Sequence, residues 1–240
     1  MSHLPRPEVD LHVHTVASGH AYSTLAEVAA AAARRGLRGV GMTDHGPGLP
    51  GGPHPYHFMA LRFVPRQLDG VRVLRGIEAN ILAEGRVDLD DDLLGKLDLV
   101  MAGFHEECGF DGRGEEANTR VVLALMDNPL VRVITHPGNP NFPLDYETVA
   151  RRGAQTGTAL EINNSSFTIS RKGSSGNCSH IARLCARHGT PVAIGSDAHF
   201  HEGVGEFAEA LLVAAEAGVK PEQIVNRTLE STLAFLGLEV

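Results

Sequence analysis

Val9-Asp-Leu-His-Val-His14 is an apolar run with an imidazole at every second place near its end. Side chains alternate between the two faces of a strand, so His12 and His14 share a face. A polar loop follows. Thr24-Leu-Ala-Glu27 then has the pattern of a capping box, opening an alanine-rich stretch that stops near Gly36. The order is strand, loop, helix. Further apolar runs lie at Leu37–Thr43, Val71–Ile77, Asp98–Phe104, Val131–Thr135, Thr158–Asn163 and Thr190–Ser196. Helical stretches fall between them: near Asp90–Leu97, at Glu115–Asp127, from a cap at Asp145 to about Thr156, and at Asn177–His188. Two more, Glu206–Ala217 and Pro221–Leu236, close the chain.

These runs are mostly apolar with weak alternation, as in parallel sheets covered by helices on both sides. Strand–helix alternation means an α/β fold. Successive runs start about 25 to 35 residues apart, near the roughly 30 of a β/α barrel unit. With seven runs and no eighth, 240 residues fit a single domain, 1–240, built as a distorted (β/α)7 barrel with parallel strands inside and helices outside. An open doubly wound sheet is the alternative.

The composition narrows the function. Lys and Arg total 21 against 29 Asp and Glu, a net charge of −8, which disfavours broad nucleic-acid binding. Cys108, Cys178 and Cys185 are an odd set without close pairing and read as reduced thiols. The N-terminus shows no apolar leader, and no run approaches 18 apolar residues. The expected location is therefore the cytoplasm, with no membrane partner. Histidine is the unusual component: there are 13, and no Trp.

Placed on the frame, these histidines are not scattered. His12 and His14 end the first strand, Asp44 and His45 the second, Glu78 the third, His105 the fourth and His136 the fifth. Asp197 and His199 end the seventh, and His20 lies in the loop after the first. In a parallel barrel all strand C-termini open on one rim. Any one strand-end histidine reads as a hydrogen-bonded rim residue. Together they read as a metal site, because so many buried imidazoles would otherwise need partners. Nitrogen and carboxylate donors without thiolate suit zinc, manganese or iron. Nine donors, with Glu78 as a bridge, suit two or three ions. Asp44 reads as a carboxylate that orients a histidine.

Asp10-Leu-His-Val-His14, Thr43-Asp-His-Gly46, Arg75-Gly-Ile-Glu78 and Gly195-Ser-Asp-Ala-His199 resemble the PHP (polymerase and histidinol phosphatase) family. Ala102-Gly-Phe-His105, Thr135-His-Pro-Gly-Asn-Pro140, Glu161-Ile-Asn-Asn-Ser-Ser-Phe167 and Ser170-Arg-Lys-Gly-Ser174 resemble its YcdX-type phosphatases. The resemblance runs from about residue 8 to the C-terminus. It implies a trinuclear centre of three Zn2+ per chain, with Mn2+ or Fe2+ able to occupy some sites. His12, His14, Glu78 and Asp197 would hold one ion, Glu78, His105 and His136 a second, and His20, His45 and His199 a third. It also implies a homo-oligomer, with a trimer as the first candidate. The loop around Glu107–Glu116 matches less well.

The implied activity is a phosphatase acting on a small phosphomonoester. Glu78 would bridge, and Asp197 would orient or deprotonate the attacking water. Phosphate also wants a fixed cation, and Arg171 and Lys172, after the one strand without a ligand, are the candidates. Asn163, with Asn164 and Ser165, could add hydrogen bonds. The Pro/Gly-rich loop at 46–58 is long enough to serve as a lid carrying His54 and His57. His3, His180 and His188 have no assigned role, His201 is a weaker rim candidate, and Cys108 forms His-x-x-Cys with His105 but lacks the second pair a metal site would want. The alternatives are a phosphodiesterase or exonuclease on nucleic acid, an amidohydrolase, and non-enzymatic metal storage.

Overall fold

The computed structural model describes residues 4–110 and 112–239; His3 lies outside them. Strands β1 (Val9–Val13), β2 (Gly39–Met42), β3 (Gln67–Leu68), β4 (Val71–Asn80), β5 (Leu99–Gly103), β6 (Val133–Ile134), β7 (Ala159–Asn163) and β8 (Val192–Gly195) form one sheet. Seven of them are parallel and neighbour one another in chain order; the two-residue β3 pairs antiparallel with the start of β4. An open doubly wound sheet would reverse its order partway along, and this one does not.

The two ends of the sheet meet. His14 N–H donates to Ala198 O and Asp197 N–H to His12 O, both at 2.9 Å, across the top of β1 and β8. Lower down, Asn226 replaces the missing ladder. Its amide accepts from Ile194 N–H and donates to Val9 O (2.8 Å) and Ile194 O (2.7 Å), fully buried. The result is the expected (β/α)7 barrel, with β3 as an extra edge. Replacing Asn226 with Leu would leave three buried backbone groups without partners, each costing about 1–3 kcal/mol. We expect a loss of about 3 kcal/mol or more in urea unfolding, while Asn226→Asp loses less.

Helices α1 (Leu25–Arg34), α2 (Pro55–Ala60), α3 (Asp91–Leu94), α4 (Glu115–Leu125), α5 (Tyr146–Thr156), α6 (Ser165–Thr168), α7 (Ser174–His188), α8 (Ala208–Ala217) and α9 (Leu229–Leu236) complete the chain. The Thr24–Glu27 capping box and the Asp145 cap form as the sequence predicts. Two expectations change. The stretch Pro221–Leu236 is not one helix: a turn of 3-10 at Pro221–Gln223 gives way to the Asn226 bridge, and α9 starts only after its own cap at Thr228. The acidic helix near Asp90 is a single turn, capped by the Asp90 side chain.

The barrel interior holds Val9, Leu11, Leu74, Leu99, Met101, Val133, Ala159 and Ala193, all buried. A larger cluster lies between strands and helices. Apolar packing thus fills the lower barrel, and the polar residues of the strands gather at the C-terminal end. Among the described residues no helix is long and apolar enough to cross a membrane.

Candidate metal centre

Glu78 lies within the ten-residue β4, two places before its end, and is fully buried. Its carboxylate is the hub. Oε2 lies 3.2 Å from His12 Nε2, 3.4 Å from His14 Nε2 and 3.0 Å from His45 Nδ1. Oε1 lies 2.8 Å from His136 Nε2 and 3.4 Å from His105 Nε2. Asp197 Oδ1 faces His14 Nε2 at 3.2 Å and His12 Nε2 at 3.6 Å, and the two Nε2 atoms are 3.0 Å apart. On the outer side His199 Nε2 meets His20 Nε2 at 3.1 Å, and the His20 ring stacks on His45 with centroids 5.0 Å apart.

Hydrogen bonding on the far side of these rings fixes their tautomers. Ser18 Oγ donates to Asp44 Oδ1 (2.7 Å), so it can only accept from His14 Nδ1 (3.1 Å). The proton of His14 is therefore on Nδ1, and Nε2 carries a lone pair. Glu161 Oε1 takes the Nδ1 proton of His12 (2.7 Å), and Asp197 O takes that of His199 (3.0 Å). The facing Nε2 atoms of His12 and His14 are thus both acceptors, beside two carboxylates. A cation, whether a metal ion or the proton of a charged His12, satisfies that arrangement.

The spacing agrees with a cation as well. Tetrahedral bonds of about 2.0–2.1 Å put donor atoms about 3.3 Å apart, and the five separations that involve His12 or His14 within the set His12, His14, Glu78 and Asp197 run from 3.0 to 3.6 Å. His45 Nδ1, Glu78 Oε2 and both ring nitrogens of His105 are buried without a hydrogen-bond partner. The donor set therefore fits a metal group. His45 lies between two candidate sets, one with Glu78 and His105 and one with His14 and His199, so the outer and inner sites share a wall.

Electrostatics point the same way. Burial works against charge on Glu78, but His12, His105 and His45 hold its carboxyl well below the usual range. Burial likewise opposes ionised Asp197, and His12 and Arg171 overcome it. Burial and the neighbouring His45 push His14 well below 6.5; burial and Arg171 bring His136 down to about 4. Burial and His45 also lower His20. Ionised carboxylates beside neutral imidazoles are the protonation states of metal ligands. His12 is the exception: burial opposes its charge, yet Glu161, Glu78 and Asp197 raise its pKa well above 6.5. The field there calls for positive charge.

Asp44 accepts from Thr15 N–H, Thr15 Oγ1 and Ser18 Oγ and orients His14 through Ser18. Burial opposes its ionisation, but His57, Ser18 and Thr15 bring its pKa down to about 2. Gly19, at φ 80, brings the first loop against the second: a Cβ there would meet Gly51 O at 2.4 Å. That close approach sets His20 beside His45. Three residues of the site, Asp197 (φ 57), Arg171 (φ 49) and His136 (φ 31), hold left-handed backbone that side chains rarely adopt. Strain of that kind costs about 1–3 kcal/mol per residue and gathers at functional sites.

Glu161 is the residue the sequence reading passed over. Fully inside β7, it takes the His12 Nδ1 proton, the His136 N–H (2.8 Å) and the Asn163 amide (3.1 Å). Its signal was there: a carboxylate two places before Asn163 in an otherwise apolar strand. Gly195 leaves it room, since a Cβ there would meet Glu161 Oε1 at 2.2 Å. Asp10 was also passed over; it accepts from the N–H groups of His12, Ser196 and Gly205 and pins the end of β8 to β1.

The expected substrate residues divide. Arg171 reaches the cluster: its Nη2 bonds Asp197 Oδ2 and Asn163 Oδ1, and Nε bonds Ser166 Oγ (3.1 Å). Nη1 has no partner among the described residues. Lys172 is exposed. Asn163 is fully buried, with Nδ2 donating to Glu161 and Asp197 and Oδ1 accepting from Ser166 and Arg171. It is a strut, with nothing left to offer a substrate. Asn164 likewise bonds the start of α8. The 46–58 loop is fastened at its base, where Asp88 accepts from Gly48 N–H (2.7 Å) and Asn80 N–H (2.8 Å). His54 caps α2, His57 Nε2 lies 3.6 Å from Asp44, His188 bonds Glu147 and His201 bonds Ser23. Cys108 is buried, its thiol bonded to Glu106 O (3.3 Å) and pushed up to about 12 by burial.

A family model described as PHP domain matches residues 10–221. The chain belongs to the PHP domain family. A relative named "Probable phosphatase" from Syntrophotalea carbinolica is 61% identical over 233 residues, covering 97% of each chain. One of the same name from Caldanaerobacter subterraneus subsp. tengcongensis is 44% identical, covering 95% of this chain and 90% of its own. Among solved structures, histidinol phosphate phosphatase from Lactococcus lactis, complexed with zinc, L-histidinol and phosphate, has a TM-score of 0.60 at 17% identity. It covers 90% of this chain and 95% of its own. The corresponding Listeria monocytogenes protein has a TM-score of 0.63 at 16% identity, with 82% and 97% covered. At that identity the likeness is one of fold.

Proposed function

We propose that this PHP-domain phosphatase hydrolyses a small phosphomonoester, using all of 1–240 as one hydrolase unit around three metal ions. The observation that carries the reading is the set of opposed imidazole lone pairs around Glu78. His12, His14, Glu78 and Asp197 would hold one ion, Glu78, His105 and His136 a second, and His20, His45 and His199 a third. Zinc is the first candidate, and the donors also accept manganese or iron. When bound, such ions lower the pKa of a coordinated water and draw charge from phosphoryl oxygens.

The chain's own residues do the rest. Glu78 divides its two oxygens between the imidazole groups on either side. Asp197 turns Oδ1 to His12 and His14, while Oδ2 already accepts from Arg171 and Asn163. That makes it an ionised ligand rather than a proton acceptor. Arg171 is held by three partners, and its unpartnered Nη1 is free to receive a phosphoryl oxygen. Glu161 and Asp44 hold His12 and His14 in the tautomers a metal requires.

The direct test is phosphate release from a panel of phosphomonoesters by zinc- or manganese-loaded protein, with metal analysis alongside. About three metals per chain are expected; fewer than two would contradict the trinuclear reading, and no turnover above metal blanks would reject the activity. For Arg171→Ala we expect kcat/KM to fall about 100-fold or more, since fixed cations on a reacting group contribute on that order. Arg171→Lys should recover only part, lacking the planar fork. Unchanged turnover in Arg171→Ala would remove Arg171 from the substrate.

A further inference from the structure

Three imidazoles of the cluster are braced from behind. His12, His14 and His199 each direct the Nδ1 proton to a fixed acceptor: Glu161, Ser18 and Asp197 O. His45 has no such brace. Its Nδ1 faces Glu78 Oε2 at 3.0 Å and is buried without a hydrogen-bond partner. It is also the ring shared by two candidate sets, one with Glu78 and His105 and one with His14 and His199. The place of this shared ring is therefore set by its backbone.

Residues 45–48 follow β2 and run beside the end of β4. His45 and Glu78 form an isolated parallel bridge, and Gly46 N–H donates to Glu78 O at 2.9 Å. Asn80, fully buried two places along β4, donates from its amide to Gly46 O at 3.2 Å. Asp88 closes this circle. The chain turns back after β4, so that Asp88 N–H donates to Asn80 O at 3.2 Å. The Asp88 carboxylate accepts from Asn80 N–H (2.8 Å), Gly48 N–H (2.7 Å) and the Asn80 side-chain amide. One anion thus ties the loop that carries His45 to the strand that carries Glu78, through charge-assisted bonds. The fit is close. A Cβ at Gly46 would meet Asp88 Oδ1 at 2.2 Å, and one at Gly48 would meet Oδ2 at 2.9 Å. Only glycine lets the backbone come so near.

We propose that Asp88 is a positioning residue for His45, holding it at the separation from Glu78 that the ion bound by His45 requires. The proposal rests on the metal reading of the cluster. Asp88 is not itself a ligand: both its oxygens are engaged by Asn80 and Gly48. It acts through the backbone of residues 45–48. Glu78 does not depend on it, because β4 is held by its own ladder with β5. Nor do His12 and His14, which stand on β1 and the residue after it. Loss of Asp88 should therefore be felt at the ion that uses His45 and little at the others. That ion should be weakened rather than lost, since His45 N–H still donates to Ser18 Oγ at 3.2 Å.

The test is zinc uptake by the full chain from buffers of graded free zinc, read as bound metal per chain, so that no turnover is needed. His45→Ala identifies the ion that His45 holds. In Asp88→Ala that same ion should bind about 10- to 100-fold more weakly, the usual effect of losing a residue behind a ligand, while the others bind as in the parent. Asp88→Asn, which keeps one acceptor oxygen, should lose less. Gly46→Ala pushes the backbone off an intact Asp88 and should weaken the same ion. Adding Asp88→Ala to His45→Ala should change zinc uptake no further, because the two act on one ion. Equal weakening of every ion, unchanged uptake in Asp88→Ala, or a further loss in the double variant would overturn the proposal. If Asp88→Ala does not fold, Asp88→Asn and Gly46→Ala decide by the same comparison. Fewer than two ions in the parent would contradict the trinuclear reading instead, and the pairing of Asp88 with His45 would still be decided on whichever ion His45→Ala removes. An ion uptake that His45→Ala leaves intact would overturn it.

Discussion

Glu78→Gln is expected to reduce kcat/KM on the order of 10⁴-fold and to cost the protein more than one metal ion per chain. Glutamine keeps the shape of the side chain but brings an amide donor and no charge. His12, His14, His45, His105 and His136 all lie within 3.4 Å of the present carboxylate. A single change therefore removes the anion shared by two proposed sites. Metal analysis and turnover on the same preparation give the result. Thermal unfolding adds a second reading. A ligand that binds only the folded state raises the unfolding midpoint, so chelator should lower the midpoint of the parent much more than that of the variant. A variant that kept its metals and lost less than tenfold in activity would show that Glu78 does not bridge.

Asp197→Asn should cost about 10³-fold in turnover. Asp197 holds φ 57, a backbone that asparagine tolerates and alanine does not. The asparagine variant thus isolates the charge from the backbone. It leaves Arg171, only 17% exposed at its side chain, without its anion, and it weakens the cradle of His12 and His14. Because the two residues touch, their effects should not add. Arg171→Ala made in the Asp197→Asn background should cost far less than in the parent. Kinetics of the four proteins in that cycle decide it: full additivity would mean that Arg171 does not position Asp197. Asp197→Ala should lose stability as well, visible as an earlier urea midpoint, because the left-handed turn is then made by a residue that resists it.

Much of this was legible in the sequence because barrel strands put their last residues on one rim. His12 and His14, spaced by two, and Thr24 with Glu27, spaced by three, carry their geometry in their spacing. The strand runs show plainly wherever burial is complete. What stayed hidden depends on contacts distant in sequence. Glu161 looks like a stray charge in β7 until His12, 149 residues away, is seen to need it. Asn226 sits in a stretch with helical periodicity, and its value comes only from the gap between β1 and β8 that it fills. Asn163 reads as a residue that could add a hydrogen bond to substrate, but the engagement of its amide by Glu161, Asp197, Ser166 and Arg171 is a tertiary fact. The two-residue β3 is too short for any periodicity to reveal.

The meeting of β1 with β8, sealed by Asn226, also sets an order of events in the making of the protein. His12 and His14 leave the ribosome more than 180 residues before Asp197, His199 and Asn226. Until that last part emerges, the early histidines have neither their acidic neighbour nor a closed wall behind them. Loading of the proposed innermost ion would thus be a closing act of biogenesis, and a chain stalled before residue 197 would carry its histidines exposed to whatever metal the cell left loose.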